Sequence, residues 1–449
     1  PMTRRHGYGL LAAMITLVVA VSAAIYVGAT LDDGTRHSRS VNQARGDSGN
    51  DVSPASTGAW VGSWSASPVE GEPGTETQGL AGRSLRNVVH TAAGGTSARV
   101  TLSNLYGEQP LTIDHASIAV AAAENSAAAD AATMRRLTFG GSPSVTVAPG
   151  RQIVSDAVRI TVPRDSDVLV TTYAALPSGP VTYHPRARQI SYSALGDRTE
   201  DTHATAYTER TEAWRYVTAL DVLSKQANGT IVALGDSLTA GSTSTVGANS
   251  RWPDVLADRL HAAAEAGADV PRYSVVNQGI GGNRVLRPGG TGTPAPNASG
   301  LTRFGRDALG RTNVKAVVID LGVNDILRAR DPRVLKASSI VAGLRELVAE
   351  AHGRGLTVVG ATLMPFGGFH GYSASTEALR QAVNSEIRGG RVFDAYVDFD
   401  KALRDPYDPR RFRAEYDSGD HLHPSDAGYA RMAAVFDLAE LKGVAPAQL

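Results

Sequence analysis

Cysteine is absent from this 449-residue chain, which excludes disulfides, thiolate metal sites and a thiol nucleophile. Net charge is absent too, with 44 Lys plus Arg against 44 Asp plus Glu. A nucleic-acid binder needs a basic excess for phosphate contacts, and the sum supplies none. A neutral ester or glycan fits this balance better than a polyanion does. Lysine is scarce, five against a large majority of arginine, a ratio read first as coding bias. Aromatics make up only 6%, while 47 Gly and 22 Pro point to many loops and β-structure around an ordinary core. The length exceeds what one hydrophobic core usually supports, so more than one domain is expected.

Long apolar runs are missing everywhere except near the start. Arg4 and Arg5 precede Gly9 to Ala29, an uncharged stretch long enough to span a bilayer. Residues 1–29 therefore read as a cleaved signal peptide or an uncleaved anchor, which implies an extracytoplasmic protein touching membrane only through this segment. Residues 30–58 carry almost no large apolar side chain and read as a flexible linker.

From residue 59 to 224, short alternating runs are separated by Gly-Gly, Pro-Gly and Pro-Ser-Gly turns: Arg99–Ser103, Ile113–Ala121, Val145–Val147, Val158–Val162 and Val168–Tyr173. This grammar predicts an antiparallel β-sandwich. From residue 225 onward, apolar strands (Ile231–Leu234, Tyr273–Val276, Ala316–Leu321, Thr357–Val359, Val392–Phe399) alternate with helices (Trp252–Ala266, Arg333–His352, Thr376–Ile387, Asp426–Leu441). That alternation predicts a parallel sheet covered on both faces, with functional groups at the carboxyl ends of its strands.

Gly235-Asp236-Ser237-Leu238 follows the first of these strands. A serine at such a turn presents its hydroxyl beside backbone N–H groups able to receive an oxyanion. The second strand runs into Asn277-Gln-Gly279-Ile-Gly281-Gly282-Asn283, which lacks both the P-loop ending and the dinucleotide fingerprint. The third ends Gly322-Val-Asn324-Asp325, where Asn324 either donates to an oxyanion or caps the following helix. Asp420-His421-Leu422-His423 stands before the last helix, and an imidazole three residues from a carboxylate can take the serine proton while the carboxylate fixes its tautomer. Asp417 and Asp426 are competing carboxylates.

Together these four blocks resemble the GDSL or SGNH hydrolase family over residues 225 to about 441. The resemblance implies a flavodoxin-like three-layer α/β/α hydrolase domain (225–449) behind the β-sandwich (59–224). It implies Ser237 as nucleophile, His423 as base, Asp420 as its orienter, and an oxyanion hole of the Ser237 and Gly282 amides with Asn324. Trp60-Val-Gly-Ser-Trp64-Ser-Ala66 and Arg251-Trp-Pro-Asp254 are similar to exported bacterial members with an N-terminal β-domain, some associated with xylan-type ester cleavage. The departure is His421, whose His-x-His pairing with His423 raises a metal. Further ligands at metal spacing are not evident, so His421 is read as a rim residue. No cofactor is implied. His90, His115, His184, His203, His261, His352 and His370 are read as structural or surface residues.

Asp236, Asn283, Met364, Phe366 and His421 are the candidate substrate-facing residues, with 284–300 and 364–370 as pocket walls or plain surface loops. The substrate expected is an O-acylated carbohydrate. A lipase, lysophospholipase or arylesterase and a cell-envelope glycan acyltransferase are the alternatives within enzymes. Outside them stands a binding role for the β-region, through sugar stacking on Trp60, Trp64, Tyr106, Tyr173, Tyr183, Tyr192 or Trp214, against a core role for the same rings. Oligomeric state is not readable.

Overall fold

The computed structural model describes residues 58–442. The membrane-directed segment, and the linker up to residue 57, lie outside the described residues. Among the described residues no helix is long and apolar enough to cross a membrane.

The β-rich region has eight main strands: β1 (Ala59–Ser65), β2 (Arg83–His90), β3 (Gly95–Ser103), β4 (His115–Val120), β5 (Val158–Val162), β6 (Asp167–Ala174), β7 (Ser191–Leu195) and β8 (Val217–Ser224). One antiparallel sheet runs β1-β8-β3-β5, and the other has β7-β2-β6-β4 at its centre. Val61, Val100, Leu220 and Val222 of the first sheet share a core with Val89, Ile118, Val168 and Val170 of the second. Burying both inner faces against each other makes the region the expected sandwich.

Alternation fails where both faces of a strand are covered. In β2 six consecutive residues are buried, including Arg86, whose guanidinium donates to Thr171 Oγ1 at 2.9 Å and to the carbonyls of Ala127 and Asp201 at 2.7 Å. It lies 3.9 Å from the centre of the Tyr207 ring. Loops carrying Ala127, Ala129 and Tyr207 close the outer face over Val88 and Leu169. The expected strand Ile113–Ala121 breaks at Asp114, which turns its carboxylate to the Ala175 amide at 2.7 Å; Leu111–Ile113 pairs instead with Val145–Val147. Trp64 and Trp214 meet edge-on at 4.8 Å in the core, Tyr106 and Tyr192 are buried, and Trp60, Tyr173 and Tyr183 are half-buried.

The following region contains β9 (Gly229–Gly235), β10 (Tyr273–Gly279), β11 (Val314–Asp320), β12 (Thr357–Ala361) and β13 (Ala395–Val397), all parallel, in the order β10-β9-β11-β12-β13. This is the flavodoxin-like order, and the strand sequence reverses beside β9. Among its helices are α1 (Ser237–Ala240), α2 (Trp252–Glu265), α3 (Gly300–Phe304), α4 (Val323–Leu327), α5 (Ala337–His352), α6 (Ala374–Arg388), α7 (Phe399–Leu403) and α8 (Asp426–Ala434). Three boundaries differ from expectation for local reasons. Asp331 holds the Arg333 amide in a turn at 2.9 Å, so α5 starts at Ala337. β13 is short because Asp398 caps α7, accepting from the Lys401 amide at 3.0 Å. The last helix stops at Ala434, and Asp437 opens a separate turn of 3₁₀ helix over Leu438–Leu441.

The described residues lie in one compact unit. β1 lies against β10 closely enough that a methyl on Gly62 would sit 3.1 Å from Val276 Cγ1. The Gly62 amide donates to Thr230 Oγ1 at 3.0 Å, and Gln278 donates to Ser65 Oγ at 2.5 Å. Burial pushes His184 down to about 4, so its neutral ring donates from Nδ1 to the Ser67 carbonyl at 2.7 Å.

Candidate active site

β9 ends at Gly235, and the chain turns at once into α1 with Asp236 as its N-cap and Ser237 as its first residue. The Asp236 carboxylate accepts from the Leu238 amide at 2.9 Å, which fixes the turn. Ser237 is 9% exposed, less open than a free turn would leave it. Its Oγ lies 2.9 Å from His423 Nε2, and His423 Nδ1 lies 2.6 Å from Asp420 Oδ2. The amides of Leu422 and His423 donate to Asp420 Oδ1 at 2.9 and 2.8 Å, so this carboxylate is oriented by its own loop. Burial raises the Asp420 carboxyl, but the His423 amide and imidazole and the Leu422 amide outweigh it and hold the group below its ordinary range. The competing carboxylates are engaged elsewhere. Asp417 meets His421 Nδ1 at 2.6 Å, and Asp426 accepts from Thr245 and from Ser250.

Asn324, in the first turn of α4 after β11, donates one amide hydrogen to Asp236 Oδ2 at 3.0 Å. Its second hydrogen has no acceptor among the described residues, and neither do the Ser237 and Gly282 amides. Gly282 has φ +74°, which favours glycine, and the Arg328 guanidinium lies against the place a side chain would take. Burial and the neighbouring Asp320 push Asp236 well above the carboxylate range, while burial alone takes Asp320 to about 7. The two buried groups therefore do not both hold full charge at neutral pH, which spares the neighbourhood of Ser237 a second full negative charge.

Of the candidate substrate-facing residues, Asp236 sits inside the turn and does not open to solvent. Asn283 is wholly buried and spends its amide on Asn297, the Ala298 carbonyl and Arg303, which makes it a brace for the 284–300 loop. Met364 and Phe366 are core residues at 2% and 0% exposure, because the segment after β12 tucks under the sheet edge. His421 is at the rim, its side chain 44% exposed and its ring against Gly368. Among the described residues no group of three His, Asp or Glu gathers at metal-binding distance.

Sequence reasoning missed Arg303 of α3. It is fully buried and donates to the Gly235 carbonyl at 2.9 Å, the Gln278 carbonyl at 2.8 Å, Asn283 Oδ1 at 3.0 Å and Ser67 Oγ at 2.9 Å. One guanidinium thus ties the nucleophile turn to the glycine loop and to the β-rich region. Burial takes it down to about 10, so it stays charged. No motif marks it. Arg328 was also missed, although its place four residues after Asn324 puts it on the same helical face. Arg186, from the β-rich region, lies over Gly281 and has no signal in the sequence.

Residues 233–431 match the model of the GDSL-like lipase/acylhydrolase family, a span that encloses Ser237, Gly282, Asn324, Asp420 and His423. No curated protein matches the chain. Solved structures similar to it include a mutant of an acetyl-xylooligosaccharide esterase from Geobacillus (20% identity, covering 48% of this chain and 94% of that one, TM-score 0.35). Others are a carbohydrate acetylesterase family member from Sinorhizobium meliloti (17%, 46% and 94%, 0.34) and the inhibitor-bound aryl esterase of M. smegmatis (19%, 46% and 94%, 0.32). At such scores these are likenesses only. Residues 233–431 are thus a domain of the GDSL-like lipase/acylhydrolase kind, which makes the protein a carboxylic-ester hydrolase.

Proposed function

We propose that the protein is an exported serine esterase removing short O-acyl groups from carbohydrate. The observation that carries the chemistry is the unbroken contact chain from Ser237 Oγ through His423 to Asp420. In this reading Ser237 attacks the ester carbonyl as His423 Nε2 takes its proton. The imidazolium, stabilised by Asp420, returns that proton to the leaving alcohol, and water then clears the acyl-enzyme by the same route. The Ser237 and Gly282 amides and the unpaired Asn324 hydrogen receive the oxyanion. Asn324→Ala is expected to lower kcat on the order of 10² to 10³, the usual size for one such donor. A loss under about threefold in p-nitrophenyl acetate turnover would remove Asn324 from the hole.

Support for a short acyl group on a polar alcohol comes from the rim. The apolar candidates Met364 and Phe366 are buried, whereas Arg186 and Arg328 beside the glycine loop are exposed and His421 is half-exposed. Export rests on the basic and apolar character of residues 4–29. The deciding experiment sets p-nitrophenyl acetate, butyrate and palmitate beside acetylated xylan and lysophospholipid. Fastest turnover of acetate together with acetate release from a glycan is the expected result. Preference for palmitate or lysophospholipid would replace this reading with a lipase, and transfer of acetate to sugar in preference to water would replace it with an acyltransferase.

A further inference from the structure

We infer that Arg186 and Arg328 form an anion-recognition subsite beside the glycine loop, selecting acyl esters of sugars that carry a carboxylate. This rests on the serine-esterase reading and narrows its substrate. The two guanidiniums lie over consecutive glycines. Arg186 Nη2 is 2.9 Å from where a methyl on Gly281 would stand, and Arg328 occupies the place of a methyl on Gly282. Both side chains belong to exposed residues.

Three neighbouring arginines are occupied, whereas these two are not. Arg188 donates to the Ser244 carbonyl and faces Glu212 at 3.5 Å, Arg284 donates to the Pro288 carbonyl, and Arg251 grips Asp254 at 2.6 Å. Among the described residues, neither Arg186 nor Arg328 has a carboxylate within 4.0 Å or a side-chain hydrogen bond. The nearby acids are already committed: Asp420 to His423, Asp417 to His421, and Asp325 to the Val285 and Leu286 amides at 2.7 and 3.0 Å. The opening therefore presents two guanidiniums without acceptors although the chain sums to zero.

Arg186 is held there at a conformational cost. Its φ is +53° and that of Arg188 is +56°, each about 1 kcal/mol unfavourable for a residue with a Cβ. The segment is pinned to both sides of the unit. The Ala187 amide donates to the Glu212 carbonyl at 2.9 Å, and the Gly247 amide donates to the Arg188 carbonyl at 2.9 Å. The β-rich region thereby delivers a free guanidinium to the catalytic face. Two planar forks with no partner match a carboxylate, which accepts paired hydrogen bonds.

The test uses one acetylated galacturonan oligosaccharide in two forms, with its carboxylates free and with them methyl-esterified, so that acyl group and sugar are constant. The wild-type chain is expected to release acetate from the free acid with kcat/KM at least tenfold above the methyl ester, a margin that shrinks as salt is raised. Arg186→Gln with Arg328→Gln should cut that ratio at least tenfold, and the Lys pair should restore part of it. Equal rates on the two forms in the wild type, or an unchanged ratio in the Gln pair, would overturn the subsite alone. Faster deacylation of lysophosphatidylglycerol than of either sugar would overturn the carboxylate-sugar assignment in favour of a phosphate. No acetate from either form while p-nitrophenyl acetate is cleaved would overturn the carbohydrate reading, and no cleavage of p-nitrophenyl acetate would overturn the serine esterase beneath it.

Discussion

Ser237→Ala is expected to lower kcat on a short-chain ester on the order of 10⁶, the size seen when the nucleophile of a serine triad is removed. The reason is that the three groups act as a unit. With His423 Nε2 only 2.9 Å from Ser237 Oγ, the imidazole has no other partner than Ser237 and Asp420, and Asp420 Oδ2 is given to the imidazole alone. His423→Ala should therefore cost nearly as much, and the double variant should cost little more than either alone. The fold should be untouched, since Ser237 Oγ makes no other hydrogen bond among the described residues. Additive losses in the double variant, measured as kcat for p-nitrophenyl acetate with the melting temperature unchanged, would mean that the two residues do not share one step.

Arg303→Met is expected to be the most destabilising single change near the site, on the order of 3 to 5 kcal/mol. It removes five buried hydrogen bonds at once, leaving Asn283 Oδ1 without a donor, the Gly235 carbonyl with the Ile280 amide alone and Ser67 Oγ with Gln278 alone. Asp307 keeps Arg306 at 2.5 Å, so most of the cost falls on the stranded acceptors. Because Gly235 leads directly into Asp236 and Ser237, the surviving folded fraction should also lose kcat. Arg303→Lys should recover charge without the fork and fall between. Urea unfolding gives the answer: a midpoint shift worth under about 1 kcal/mol would show that the network is not what joins the loops.

What could be read from the residues beforehand was decided by how local each signal is. The parallel sheet was legible because β9 and β11 are buried on both faces and so appear as unbroken apolar runs between helices. Ser237, Asn324, Asp420 and His423 were legible because each stands at a strand end or helix start within a short motif. Residues whose meaning depends on a distant partner were not legible. Arg86 interrupts β2 with a charge that is satisfied only by Thr171, Ala127 and Asp201. Arg303 looks like any helical arginine until four separate segments converge on it. Asn283, Met364 and Phe366 follow the right strands, yet their side chains turn inward. Arg186 reaches the catalytic face only because the β-rich region packs against the hydrolase loops.

The central claim is that Ser237 forms a covalent acyl intermediate, and fluorophosphonate labelling followed by peptide mass analysis tests it most directly. The account predicts stoichiometric modification of the peptide carrying Ser237 in the wild-type chain, with parallel loss of esterase activity, and no modification in Ser237→Ala. Labelling that persists in Ser237→Ala, or full esterase activity in an unlabelled wild-type chain, would contradict it.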